Sequence, residues 1–240
     1  MTQSHHRELR GLFAAYIPAD AVVVDVGAHA GQFSKMFAAM APRGHVFAFE
    51  PSAYARSVMA PALRFNRIGN VTLVPMGLSD TRGELTLHTP IKRGRSLGFG
   101  LAHLGAGEGP AFEQTIALTT LDIFARERRL GRLDFIKADI EGWELRALEG
   151  GEATLRRFSP ALYLEVDAAR LARAGDTPAD LCAWLAALDY RCFTPPAIFR
   201  APAYFGPGDY FFVRRAGTES APAIDHTSKV RGPMDVDRSA

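Results

Sequence analysis

Three stretches of the sequence gather residues whose types and spacing can do chemistry. The first is Asp25-x-Gly27-x-x-x-Gly31, set between the β-branched run Val22-Val23-Val24 and the apolar-patterned segment Gln32 to Met40. Glycines in such a turn let backbone approach a ligand, and the free N–H groups of the following helix end face it. His29 lies inside this loop, where it suits a ligand contact or a structural role. The second is Glu50, which ends the apolar run His45 to Phe49 and is followed by Pro51. A carboxylate at the end of a second parallel strand can accept hydrogen bonds from both hydroxyls of a ribose. Proline there is tolerated where a helix opens. The third is Lys137-x-Asp139-x-Glu141, closing the run Leu133 to Ile140. Alternation along an extended strand projects these three to one side. Charges at such a strand end are costly to bury unless paired or used. Glu165, ending the run ALYLEV, adds a carboxylate from an independent segment.

These residues suit proton transfer. A base that takes a proton from a weak nucleophile contributes roughly 100- to 10,000-fold. Asp139 is the first candidate base, with Glu141 or Glu165 second and His88 a histidine alternative. Lys137 either joins the catalytic row or pairs with one of the acids. Asp139 and Glu165 could instead hold one divalent ion through oxygen, an alternative kept open but not the expectation.

The elements that must position these groups alternate along the chain. Strands are expected at Val22 to Val24, His45 to Phe49, Val71 to Val74, Leu133 to Ile140, Ala161 to Val166, Tyr190 to Thr194 and Asp209 to Arg214. Helices are expected at Gln32 to Met40, Tyr54 to Asn66, Ile123 to Arg129 and Pro178 to Leu188. The pattern predicts an α/β fold, a doubly wound, mostly parallel seven-stranded sheet with helices on both faces and an antiparallel last strand. Gly77 to Asp80, with Leu78 and Ser79, follow the third strand and form an expected adenine lip. An inserted β-hairpin, Glu84 to Thr89 with Phe112 to Leu118, comes next. Its connection, residues 92–110, carries six glycines and reads as a mobile lid or substrate loop. Residues 1–20 form an N-terminal segment whose amphipathic part, Glu8 to Ile17, is expected across the sheet edge or the ligand mouth. The main domain spans 21–215. In residues 216–240 periodicity vanishes, which predicts a disordered tail.

Composition narrows the classes. A formal net charge of +2 does not mark a nucleic-acid binder. Cys182 and Cys192 have neither metal-ligand nor disulfide-framework spacing and read as free core thiols. No apolar run approaches the roughly 20 residues of a membrane span, and the start MTQSHHRELRGLF has no signal-peptide h-region. A cytoplasmic protein is expected, with a homodimer left open.

The D-x-G-x-x-x-G spacing differs from the dinucleotide fingerprint G-x-G-x-x-G. It resembles the first motif of the class I S-adenosylmethionine (SAM) methyltransferases. VDVGAHAGQFS, FAFEPS, GLSD, TTLD, FIKADIEGWELRALEG, LYLEVD and GDYFFVRR together resemble the FkbM family of that class, over roughly residues 22 to 215. The resemblance implies a Rossmann-like enzyme that methylates oxygen on a sugar, glycolipid or polyketide-type natural product. It implies SAM contacts at Asp25, Gly27, Gly31 and Glu50, and a catalytic or substrate-facing role for Asp139 and Glu141. Trp143 stands in a slot that could line the acceptor pocket.

Overall fold

Short β-branched and aromatic runs build the strands, and in the parallel core most are followed by a helix. The computed structural model describes residues 9–90, 103–104, 111–194, 198–200, 204 and 206–214. The chain opens with a helical stretch over residues 9–13 (α1) and continues through β1 (Val22–Val26), α2 (Gln32–Met40), β2 (His45–Phe49), α3 (Ala53–Phe65) and β3 (Val71–Val74). An insertion carries β4 (Gly77–Leu78), β5 (Gly83–Pro90), β6 (His103–Leu104) and β7 (Ala111–Thr119). Then come α4 (Leu121–Glu127), β8 (Phe135–Ala138), α5 (Glu144–Glu149), α6 (Glu152–Phe158) and β9 (Ala161–Val166). The remainder is α7 (Ala168–Leu171), α8 (Pro178–Ala187), β10 (Tyr190–Thr194), β11 (Ile198–Arg200) and β12 (Gly208–Arg214).

The main sheet has the order β11-β10-β12-β9-β8-β1-β2-β3. Strands β3, β2, β1, β8 and β9 are parallel, and β12 runs antiparallel between β9 and β10. The seven expected strands are all present. An eighth, β11, arises from the proline- and aromatic-rich link after β10, where Phe193 pairs with Phe199. Its three residues lack the length and alternation that identify a strand in sequence. Strand β8 is shorter than expected and stops at Ala138, because the backbone turns away at the ligand end.

The expected hairpin is part of a four-stranded sheet, β4-β7-β5-β6. Gly77 and Leu78, read as a loop, form β4 and pair with Leu118 and Thr119. Within the glycine-rich region, residues 103–104 pair with β5. The rest of that region, the tail from residue 216 and residues 1–8 lie outside the described residues.

Two buried clusters cover the two sheet faces. The N-terminal segment packs on a face rather than on the sheet edge or ligand mouth. Phe13 is fully buried, and its ring meets Phe37, Phe135 and Tyr163 at centroid distances of 5.6, 5.2 and 5.0 Å. These are tilted, edge-on aromatic contacts, the arrangement ring quadrupoles favour. On α8, Leu181 and Leu185 are buried as the expected stripe requires. Cys182 and Cys192 are free and buried. Among the described residues no helix is long and apolar enough to cross a membrane.

Candidate active site

The carboxyl ends of β1, β2, β8 and β9 each carry an acid, and the folded sheet gives each a different environment. Asp25 is not at the rim. It lies inside β1, fully buried, and accepts a hydrogen bond from the Ser34 hydroxyl of α2. Its Oδ1 has no hydrogen-bond partner and faces the Lys137 ammonium at 3.7 Å. Burial pushes the Asp25 carboxyl upward, opposed by Lys137 and Ser34.

Lys137 lies beneath the glycine loop. Its Nζ donates to the carbonyls of Gly27 at 3.2 Å and Val26 at 3.5 Å and stands 3.6 Å from Asp139 Oδ2. It also lies 5.3 Å over the Phe33 ring. Burial works against the ammonium, but Asp25, Asp139 and Asp209 together hold its pKa above the ordinary lysine value. Lys137 is therefore a charged brace that joins loop, β1 and β8, and not a group facing the cavity.

The loop's glycines answer to backbone geometry. Gly27 has φ +74°, and a Cβ there would stand 2.1 Å from the Asp139 carbonyl. Gly31, at φ +80°, caps α2 and faces Met59 rather than the cavity. Both sit in the left-handed region that side chains avoid. His29 shares it at φ 49°, and its ring Nε2 is buried with no hydrogen-bond partner.

A cavity opens over this loop. Gly27, His29, Glu50, Pro51, Leu78 and Asp139 all line it. Glu50 is buried, and each of its oxygens already accepts one backbone N–H, from His29 at 2.7 Å and from Ser52 at 2.8 Å. Burial raises its pKa, while these two hydrogen bonds lower it. Each carboxylate oxygen keeps a lone pair for a diol. Phe49, Met76, Leu87 and Ile140 add apolar wall. A flat, apolar base with an attached ribose fits this donor set, and His29 Nε2 offers it a further polar partner. Ser79, expected at the lip, lies beneath it: it is 2% exposed, and its hydroxyl accepts the Trp143 indole N–H at 3.1 Å. Trp143 packs on Leu85, Leu87 and the other apolar residues of the insertion sheet, so it fixes that sheet's position beside the cavity.

The acid row departs from strand alternation. Glu141 has φ 59° and Gly142 φ 105°, so the chain turns sharply after β8. A Cβ on Gly142 would stand 2.1 Å from the Arg170 carbonyl. The turn nevertheless brings Asp139, Glu141 and Glu165 together, with one oxygen of each within 4.8 Å of the others. Cations already occupy them. Arg170 pairs with Glu165 and, at 3.2 Å, with Glu141, while Arg173 lies 3.7 Å from Glu141. Three carboxylates facing two guanidinium groups and the Lys137 ammonium need no ion for charge balance.

Two acids in the row are pushed apart. Burial and the neighbouring Asp139 charge raise Glu165 to about 8, against the pull of Arg170. Burial also acts to raise Asp139, but Lys137 and the hydrogen bond from Glu165 outweigh it and leave its pKa lowered. The two shifts run in opposite directions, Glu165 toward its protonated form and Asp139 toward its carboxylate. Glu141 is raised by burial and is held by Arg170 and Arg173. His88 stands outside the cavity wall, with its ring 3.5 Å from Glu113.

Sequence reasoning missed Arg170 and Glu144. Arg170 follows LYLEVD by one helical turn, and a cation so placed after a strand-end acid was a readable signal. Glu144 is 1% exposed and accepts the N–H groups of Ile140 at 2.9 Å and Gly142 at 3.3 Å through Oε1 alone. It closes the turn that presents Glu141.

Comparison with known proteins identifies the family and the fold. A family model described as "Methyltransferase FkbM domain" matches residues 25–192. The chain is 26% identical over 152 residues to "2-O-methyltransferase NoeI" of Sinorhizobium fredii, covering 58% of this chain and 60% of that protein. It is 28% identical over 161 residues to "Methyltransferase sdnD" of Sordaria araneosa, covering 57% and 62%. The matches thus span about three fifths of each curated relative. Among solved structures, methyltransferase FkbM from Methylobacillus flagellatus KT aligns with a TM-score of 0.52 at 18% identity, over 81% of this chain and 44% of that one, which shows a shared fold.

Proposed function

Because the chain belongs to the FkbM methyltransferase family, we propose that it moves a methyl group from SAM to a hydroxyl oxygen of a small molecule, a sugar, glycolipid or polyketide-type natural product, with Asp139 as the base. The observation that carries this reading is the Asp139–Glu165 pair. Two carboxyls pushed in opposite directions beside one cavity sort themselves into base and acid. The relative named a 2-O-methyltransferase supports oxygen as the acceptor atom.

Bound SAM would supply a sulfonium methyl open to in-line displacement. Glu50 would hold the ribose hydroxyls, and the Gly27 loop would lie against the methionine part. Asp139, ionised against Lys137, would take the acceptor's proton on a carboxylate oxygen as its oxygen attacks. Glu165 would keep Asp139 in that state through its hydrogen bond. Alignment of the reacting groups would contribute about 7–11 kcal/mol, and the base roughly 100- to 10,000-fold more.

Labelled SAM incubated with a panel of sugars, glycolipids and polyketides identifies the acceptor. With that acceptor, Asp139→Asn should lower turnover about 100- to 10,000-fold while calorimetry finds SAM affinity retained. Unchanged turnover refutes the base. Activity that survives exhaustive chelation removes the divalent-ion alternative.

A further inference from the structure

The outer face of α3 carries an apolar seam that no chemistry at the cavity uses. Tyr54, Val58 and Phe65 are 48%, 42% and 88% exposed, and they are the strongly exposed large hydrophobics among the described residues. With the exposed Pro61 they follow the spacing i, i+4, i+7, i+11. At 3.6 residues per turn these four lie within an arc of about 60° on the helix. Burial explains the opposite side, where Ala55, Met59 and Leu63 enter the core.

The chain segment that carries the seam is dominated by one sign of charge. Between Gly27 and Ser79 the only acid is Glu50, which is buried, whereas Lys35, Arg43, Arg56, Arg64 and Arg67 are cations. That is a local excess of four positive charges in a chain whose net charge is +2. Arg64 and Arg67 are exposed at the end of α3, next to Phe65, and enter no ion pair among the described residues. Arg56 is committed to the carbonyls of Glu50 and Pro51.

We propose that this face of α3 docks the protein on an anionic lipid surface, with Val58, Pro61 and Phe65 in the headgroup boundary and Arg64 and Arg67 against lipid phosphates. An apolar helix face bordered by arginines is the pattern of helices that lie in a membrane interface. A second copy of the chain fits less well. Two rings and a valine at these exposures offer on the order of 300 Å², against about 800 Å² per partner in a stable protein interface. Self-pairing would also bring arginines together. A helical partner would need a groove, and the seam is a ridge whose residues do not line the cavity over the glycine loop. A nucleic acid would use the arginines but leave Phe65 and Val58 without a role. The inference does not depend on the methyl-transfer reading.

The test is co-sedimentation of the full chain with vesicles of phosphatidylcholine alone and of phosphatidylcholine mixed with phosphatidylglycerol. Binding is expected only to the mixed vesicles, and it should weaken as salt rises. Arg64→Gln combined with Arg67→Gln should weaken partitioning about 30-fold, and Val58→Gln with Phe65→Gln by at least about tenfold. These surface variants should keep the parent's circular dichroism and Tm. Equal sedimentation with both vesicles, or variants that bind like the parent, would overturn the proposal. So would light scattering that finds a dimer broken by Phe65→Gln, or an RNA oligomer bound through the same arginines, while vesicles leave the protein in the supernatant.

Discussion

Glu144→Gln separates what the second acid of the E-G-W-E turn does as a hydrogen-bond acceptor from what its charge costs. Its two turn-closing hydrogen bonds, from the N–H groups of Ile140 and Gly142, end on one oxygen, Oε1. A glutamine can keep both. Burial raises the carboxyl from 4.5 to about 7 in the folded protein. Between those values the folded state holds a proton that the unfolded chain has released, so stability falls as pH rises through the window. At 1.36 kcal/mol per unit the loss reaches about 3 kcal/mol by pH 8. The glutamine variant carries no such loss. It should match the parent near pH 4 and exceed it at pH 8 by about 3 kcal/mol, a rise in Tm of about 6–12 °C for a chain of this size. Glu144→Ala, which deletes the acceptor, should be destabilised at both pH values. Denaturant unfolding followed by circular dichroism at the two pH values measures all three proteins. Parallel pH slopes for parent and glutamine variant would refute the reasoning, because they would mean the Glu144 carboxyl is ionised in the fold at no cost.

Other predictions concern the cofactor wall. Glu50→Gln places a donor against a backbone N–H and removes the charge offered to a diol; calorimetry should find SAM binding weakened about 10- to 100-fold, and parent-like affinity would remove the ribose role. Gly27→Ala puts a methyl group 2.1 Å from the Asp139 carbonyl at φ +74°, so it should lower Tm by about 5–10 °C and abolish SAM-induced thermal stabilisation. Trp143→Phe loses the indole N–H bond to Ser79; a cost near 1 kcal/mol should appear in SAM affinity, with turnover at saturation preserved.

Much of this fold was legible because its signals are local. The β-branched run before Asp25, the glycine turn and the apolar run ending in Glu50 each announce an element within a few residues. The row at Lys137, Asp139 and Glu141 was legible as a cluster, since the strand leading to it is continuous and apolar. Side-chain direction was less so. Strand alternation places Lys137 beside Glu141, but Glu141 takes a left-handed backbone conformation and Lys137 is drawn under the loop. Neither follows from period-two patterning, because both are decided by partners more than 100 residues away or by the close approach of Gly142 to Arg170. Strand β11 was missed for the opposite reason: three residues between prolines carry too little pattern to distinguish pairing from a loop.

The four strand-end acids show how one sheet edge yields distinct chemistries from a single residue class. Solvation and partners sort them, and side-chain identity does not. Asp25 is sealed from water between the Lys137 ammonium and the Ser34 hydroxyl, and it supports the loop from below. Glu50 spends half of its acceptor capacity on the His29 and Ser52 N–H groups and presents the other half to the cavity. Glu165 is clamped by Arg170, yet burial and the neighbouring Asp139 raise its pKa to about 8. Asp139 keeps a negative charge at the cavity wall because Lys137, the same ammonium that faces Asp25, lies 3.6 Å behind it. The brace that fixes the glycine loop is thus also the charge that keeps the proposed base ionised. Loop geometry and base strength are coupled through one buried nitrogen, and a change at Lys137 must disturb both together.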